Sequence, residues 1–349
     1  MGKLFRSISA EHRKLWGKRS NCFYFGVVFF LTFMVSLYIW AVGSDSSIAR
    51  MPLMQNRYAK AALSLDSYSS DNWSAEVSED ISAWSEELAA LSAKKQELAG
   101  TNSEYTVETR IRELERDIAV YTRYLDRGTA PSDTKAFDSA IFAMWMMLPV
   151  IGLLSLFAVS DLFAGEFSRG TINVILSRPV TRIKQYIAKL FTSFLYSSLL
   201  MSVTFVVAMA ACGIFIGGEN SLYVGYRGGA VYETTLAAHC AEVLLCFIGA
   251  LAVIIALCAM LGNMTHSRTV SAGLPFAVMC VSLFFGDALG ALGFKVIGVT
   301  IFANLDLASA LCFIPNYSGI GFTTCAISLA VHFIIFVIAG YHFFKKDIR

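Results

Sequence analysis

Long apolar runs alternate with polar stretches along this chain. Six of the runs reach the length needed to cross a bilayer as helix, about 20 residues. They predict spans at Cys22–Gly43, Ala140–Phe163, Leu190–Ile216, Leu236–Leu261, Val270–Leu289 and Phe322–Phe344. Ala41-Val42-Gly43 looks like a signal-peptide cleavage site, but the run before it exceeds the usual apolar core of about 7–15 residues. The first run is therefore expected to stay as a span.

The polar stretches carry their own periodicities. Residues 1–21 place Leu4, Phe5, Ile8, Leu15 and Trp16 on one helical face with Lys and Arg around them, the pattern of an amphipathic helix lying in the membrane interface. Residues 44–139 form the longest insertion. Ile81, Trp84, Leu88, Leu91 and Leu98 follow heptad spacing, with Lys95 as a polar seam position; Val107, Ile111, Leu114, Ile118, Tyr121 and Leu125 repeat it. Gly100 suits a helix C-cap, and Thr101 with Glu104 suits a capping box, so two antiparallel helices of about 35–40 Å are expected. Gly290–Gly321 is mostly apolar but is interrupted by Lys295, Asn304, Asp306, Pro315 and Asn316, which predicts a re-entrant or interfacial segment rather than a seventh span. The fold class expected is an all-α membrane protein: six transmembrane helices, an extracellular α-helical hairpin, an N-terminal interfacial helix, and a re-entrant segment before the last span. Its organisation is residues 1–21, the first span at 22–43, the hairpin domain at 44–139, and spans two to six within 140–349.

Charge orients this arrangement. Lys3, Arg6, Arg13, Lys14, Lys18 and Arg19 precede span one; Arg169, Arg178, Arg182, Lys184 and Lys189 lie between spans two and three. His266 and Arg268 lie between four and five, and Lys345, Lys346 and Arg349 follow six. An even number of spans puts all of these on one side, and the positive-inside rule makes it the cytoplasmic side, termini included. The net acidic insertion at 44–139 is then outside.

Composition agrees with lipid as the solvent: 56% of the residues are apolar, above the 45–50% usual for soluble domains. The eight cysteines lie in or beside apolar runs without paired metal spacing and read as small buried hydrophobes. No phosphate-binding Gly-x-x-x-x-Gly-Lys-Ser/Thr loop, His-Glu-x-x-His or Gly-x-Ser-x-Gly motif occurs. The 44–139 insertion has neither histidine nor cysteine, so no metal site is expected there. His239 and Glu242 share a face near the outer end of span four, the geometry of a proton relay or of an ordinary hydrogen-bonded pair. His332 lies inside span six, and Asp161 closes span two where it meets water.

The stretch Gly165–Lys189, GEFSRGTINVILSRPVTRIKQYIAK, is the most informative. Glu166 and Arg169 stand at the membrane exit, Thr171 is placed to cap a short helix carrying Ile172, Val174, Ile175 and Leu176, and Pro179 ends it after Arg178. Gly-Glu-Phe-Ser-Arg-Gly-Thr, then Leu-Ser-Arg-Pro-Val-Thr-Arg and Lys189, resembles the signature of ABC-2 type transporter permeases. The ending Phe343-Phe344-Lys345-Lys346-Asp347-Ile348 is similar to that family's C-terminus, and the long outer hairpin resembles permeases of phenol-soluble modulin exporters.

The resemblance implies a permease subunit in a bacterial cytoplasmic membrane, moving cargo outward by alternating access. It implies that Glu166, Arg169, Gly170, Thr171, Ile172, Val174, Ile175, Arg178 and Pro179 couple to a separate ATP-binding cassette subunit. That partner would hold ATP and Mg, a second permease would complete a homodimer, and this chain would be no enzyme and hold no cofactor or metal. Lipid is an expected partner; nucleic acid is not. The spans are rich in Phe, Met and small residues, so an amphipathic peptide or lipid-like cargo is expected, with Met144, Met146, Met147 and His332 as candidate lining. Two rival readings remain. One is a transmitter relaying ATPase motion to the outer hairpin; the other is a membrane enzyme built on His239, Glu242 or His332.

Overall fold

A computed structural model of the chain describes residues 2–43, 57–64, 72–97, 102–170, 181–217, 222–291, 297–313 and 321–346. Among these, six helices are long and apolar enough to cross a membrane. They are α2 (Arg19–Gly43), α6 (Lys135–Ser168), α7 (Arg182–Phe215), α8 (Leu236–Thr265), α9 (Arg268–Ala291) and α12 (Phe322–Lys346). The chain is a multi-pass membrane protein. Burial grades across the bundle as this requires: α6 and α8 are mostly enclosed, whereas α12 exposes Ile327, Val331, Ile334, Ile335 and Ile338, a stripe that water would penalise and lipid accepts.

The bundle is held by close approach. The apolar medium offers helices no hydrophobic drive toward one another, so contact area and small residues decide the packing. A β-carbon on Gly152 of α6 would lie 2.3 Å from Met279 Cε of α9, and one on Gly340 of α12 would lie 3.2 Å from the Met260 backbone of α8. α12 lies along α8, α2 along α7, and α6 touches α2, α7, α8 and α9.

Helices α6 and α7 run past the apolar runs that predicted them, beginning at Lys135 rather than Ala140 and at Arg182 rather than Leu190. Each has 34 residues, about 51 Å of helix against a hydrocarbon core of about 30 Å. The extra turns are stabilised by polar contacts at the bundle's ends, which apolarity does not record.

Before the first span, α1 (Gly2–Trp16) lies against α7, and Trp16 packs on Phe25 and Tyr196. The insertion contains α3 (Arg57–Ser64), α4 (Trp73–Glu97) and α5 (Asn102–Arg127). α4 and α5 pack side by side: Val77 is fully buried among Trp73, Ile81, Tyr121 and Leu125, and Arg110 grips Glu87 through two bonds of 2.8 and 2.9 Å. Leu98, Gly100 and Thr101 lie outside the described residues.

Two strands depart from the all-α expectation. β1 (Leu222–Arg227) and β2 (Ala230–Thr235) form an antiparallel hairpin between α7 and α8, with Arg227 opposite Ala230. Gly228 and Gly229 turn the chain with φ of 63° and 87°, as a two-residue primed turn needs. Gly225 admits the Tyr232 ring, which a β-carbon would meet at 2.5 Å. This hairpin gives α5 a second buried face, because Val120 and Tyr124 pack on Val224. The heptad reading recorded one face of α5 and missed the other.

The stretch before α12 contains a 3-10 turn (Ile297–Val299), α10 (Ile301–Asn304) and α11 (Leu307–Cys312). Of the polar residues that interrupt it, Asn304 and Asp306 hold the breaks together, while Lys295, Pro315 and Asn316 lie outside the described residues. Asn304 Nδ2 donates to the Gly298 and Thr300 carbonyls at 2.9 and 2.7 Å, and Asp306 caps α11 while accepting from the Tyr58 hydroxyl at 2.6 Å.

Candidate functional site

Among the described residues, a cluster of charges gathers where α1, the end of α6, the start of α7 and the α8–α9 joint meet. The last turns of α6 place Asp161, Gly165 and Arg169 at four-residue intervals, hence on one face, and turn Glu166 toward its neighbours. Glu166 is buried and accepts from the ammonium groups of both Lys14 and Lys189. Lys189 is the more enclosed cation, at 1% side-chain exposure. Its Nζ also donates to the Leu162 carbonyl at 3.2 Å, and lies 5.8 and 5.7 Å from the ring centres of Phe163 and Phe344. One carboxylate thereby joins three helices: α1, α6 and α7.

Asp161 does the same on the adjacent face, and does not simply meet water. Lys18, Arg169 at 3.5 Å and Arg268 at 3.1 Å surround its carboxylate. Arg268, at the start of α9, also donates to Ser168 Oγ at 3.2 Å and to the Gly165 carbonyl at 3.4 Å. Gly165 makes this approach possible: a β-carbon there would stand 2.5 Å from Asp161 Oδ1 and 3.2 Å from Arg268 Nε. His266 takes the left-handed conformation, φ 54°, and packs on Phe167 with 4.1 Å between ring centres and the planes tilted by 31°. Burial, followed by repulsion from Arg169, Arg268 and Lys14, lowers the pKa of Lys18.

The expected coupling residues separate into groups. Glu166 faces inward, while Arg169 and Gly170 are exposed at the end of α6. Thr171, Ile172, Val174, Ile175, Arg178 and Pro179 lie outside the described residues. No local pattern in the sequence marks Lys14, Lys18 and Arg268 as partners or Asp161 as a hub.

The candidate cargo residues do not converge. Met144 and Met147 are buried in the core, Met146 is half-buried against it, and His332 Nδ1 donates to the Ser328 carbonyl at 2.7 Å one turn earlier. His239 and Glu242 lie on one face of α8 as expected, and each has a shorter contact elsewhere. His239 stacks on Tyr223 at 3.7 Å and reaches Cys312 Sγ at 3.8 Å, while Glu242 pairs with Arg227 at 3.1 Å. Their own separation is 4.0 Å, with Glu242 half-exposed.

At the opposite end, a cavity of about 260 Å³ lies among α3, α5, β1 and α11. Arg116 crosses it, bonding Asp117 at 2.9 Å and the Cys312 carbonyl at 3.2 Å, with its guanidinium 5.6 Å from the Phe313 ring centre. Burial raises the Asp117 carboxyl and pushes the Tyr124 phenol up to about 12. Arg123 and Arg127 clamp Glu233 of β2 at 2.5 Å each, which holds that carboxyl below its ordinary value. These contacts fasten α4–α5 to the membrane bundle.

Comparison with known proteins gives two matches. The family model described as "Protein of unknown function (DUF2705)" matches residues 111–348. The uncharacterized protein YhcI of Bacillus subtilis (strain 168) is 26% identical over 269 residues, which cover 73% of this chain and 84% of that protein.

Proposed function

We propose, for a chain that belongs to the DUF2705 family of proteins of unknown function, that it is the membrane-spanning permease subunit of an ATP-binding cassette exporter. The observation that supports this reading is the ion-paired node at Asp161 and Glu166, set at the root of the ABC-2-like stretch Gly165–Lys189. The connection from α6 to α7 joins two helices that both carry members of this node. A push on that connection is passed to α1 through Lys14 and Lys18, to α7 through Lys189, and to α9 through Arg268. Shifting several spans together from one cytoplasmic contact is what alternating access requires.

In this reading the basic end is cytoplasmic, α1 lies in the interface, α4–α5 form an extracellular hairpin and α10–α11 are re-entrant. A separate ATPase binds ATP and Mg, and a second copy of the permease completes the pathway. Arg169 and Gly170 meet the ATPase, while Glu166 positions α1 and α7 behind that contact. The cargo is an amphipathic peptide or lipid-like molecule. A second reading draws support from the clamp of Arg123 and Arg127 on Glu233. The clamp makes α4–α5 a rigid extension of the bundle, suited to relaying ATPase motion outward without passage of cargo.

The test is co-purification of the full chain with an ATP-binding subunit from the same cell, followed by reconstitution in vesicles. Exporter function requires ATP-dependent accumulation of an amphipathic peptide on the far side. Arg169→Ala should abolish that accumulation while ATP hydrolysis persists. Hydrolysis without accumulation in the unsubstituted complex would favour the relay, and absence of any ATPase partner would refute both.

A further inference from the structure

Beside Asp161, a cleft of about 580 Å³ opens between α2, α6 and α9. Its two ends differ in chemistry. Lys18, Arg169 and Arg268 ring the end at the basic pole, while Tyr24, Leu153 and Phe157 line the rest. Leu153 lies eight residues before Asp161 on α6, about 12 Å deeper along the span. Phe157 is half-exposed there, as a wall facing lipid would be.

The charge at the polar end is unbalanced. Lys14, Lys18, Arg169, Lys189 and Arg268 bring five positive charges to the node, against three negative ones from Glu11, Asp161 and Glu166. Lys18, Arg169 and Arg268 share the single carboxylate of Asp161 and keep 41%, 46% and 42% of their side chains exposed. Burial first, and then repulsion from Arg169, Arg268 and Lys14, lowers the Lys18 pKa. The cleft therefore presents an excess of two positive charges at the level of lipid headgroups, continuous with an apolar wall at the level of acyl chains. A free inorganic anion would satisfy the first and leave the second empty.

We infer that this cleft holds an anionic phospholipid of the surrounding leaflet, its phosphate among Lys18, Arg169 and Arg268 and the start of an acyl chain against Leu153 and Phe157. A bound phosphodiester, with its single negative charge, halves the excess and ties α2, α6 and α9 together. This assignment does not depend on the exporter reading.

Native mass spectrometry of the full chain, released from mixed micelles of phosphatidylglycerol and phosphatidylcholine, tests it. Phosphatidylglycerol should be retained preferentially. Lys18→Gln should weaken retention about fivefold, as expected for one lysine near a lipid phosphate. Gly273→Leu should weaken it without touching any charge. Gly273 lines the cleft, and a β-carbon there meets nothing within 4 Å, so a larger side chain can start into the space without a clash at its first atom. It decides the matter should Lys18→Gln fail to fold. Millimolar inorganic phosphate should leave the lipid in place. Equal retention of the two lipids, unchanged retention in Gly273→Leu, or release of the lipid by phosphate alone would each overturn the assignment.

Discussion

The pair Glu166–Lys189 permits a quantitative test, because its partners are unequally supported. Both side chains are nearly enclosed, at 3% and 1% exposure. Removing one member of a buried pair typically costs about 3–5 kcal/mol, because the other charge is left without compensation. Glu166→Gln would leave the Lys189 ammonium with the Leu162 carbonyl and two ring faces at the outer limit of cation–π range. Its cost should fall near the lower end of that interval, about 3 kcal/mol.

Lys189→Met is different. Glu166 would keep Lys14, whose side chain is 44% exposed and reaches solvent, so a loss of about 1–2 kcal/mol is expected. The double variant replaces the pair with neutral groups of similar size and should cost no more than Lys189→Met alone, leaving a coupling energy of at least about 3 kcal/mol. Unfolding of the purified chain in mixed micelles, titrated with a denaturing detergent, would measure all four corners of the cycle. Additive losses, or Glu166→Gln proving milder than Lys189→Met, would refute the assignment of Glu166 as the shared anchor of two lysines.

Gly152→Val should displace the flexible Met279 thioether that packs across from it, at about 1 kcal/mol in the same unfolding assay. Glu233 should make the α5–β2 contact acid-sensitive. Arg127 and Arg123 hold its carboxyl below the ordinary glutamate value near 4.3, so the contribution is complete above that pH and is lost as pH falls through the lower folded value. Spin labels on α5 and α8 should separate only in that acidic window and, in Glu233→Gln, show no pH dependence; separation above pH 5 would contradict the clamp. Met146→Glu should reduce stimulation of the partner ATPase by amphipathic peptides if α6 lines the pathway, and stimulation by sugars or ions alone would exclude such a cargo.

The spans were legible in the sequence because lipid imposes a local criterion. Each segment must be apolar and must satisfy its own backbone, and a sum over neighbouring residues measures both. The basic clusters could be read for the same reason. The β-hairpin left a local trace, Gly228-Gly229 between alternating Tyr and Val positions, that a reading for helix periods passed over. The four consecutive residues Met144–Met147 show where local pattern ends. At 100° per residue they point around the whole helix, and only packing determines that Met144 and Met147 are enclosed while Met146 is half-buried.

The node at Asp161 and Glu166 was not legible in this way. Lys14 meets Glu166 across 152 positions, and Arg268 meets Ser168 across 100. Whether a charge at a span's end faces water or a partner depends on which helices are neighbours and how each is rotated about its axis. Those are properties of the packed bundle, set by close contacts such as Gly152 against Met279 and Gly340 against Met260. The sequence by itself determined which segments enter the membrane and which end carries the positive charge. Only the tertiary structure decided that Asp161 and Glu166 are shared anchors rather than solvated ends, because the cations that hold them come from helices distant in the chain.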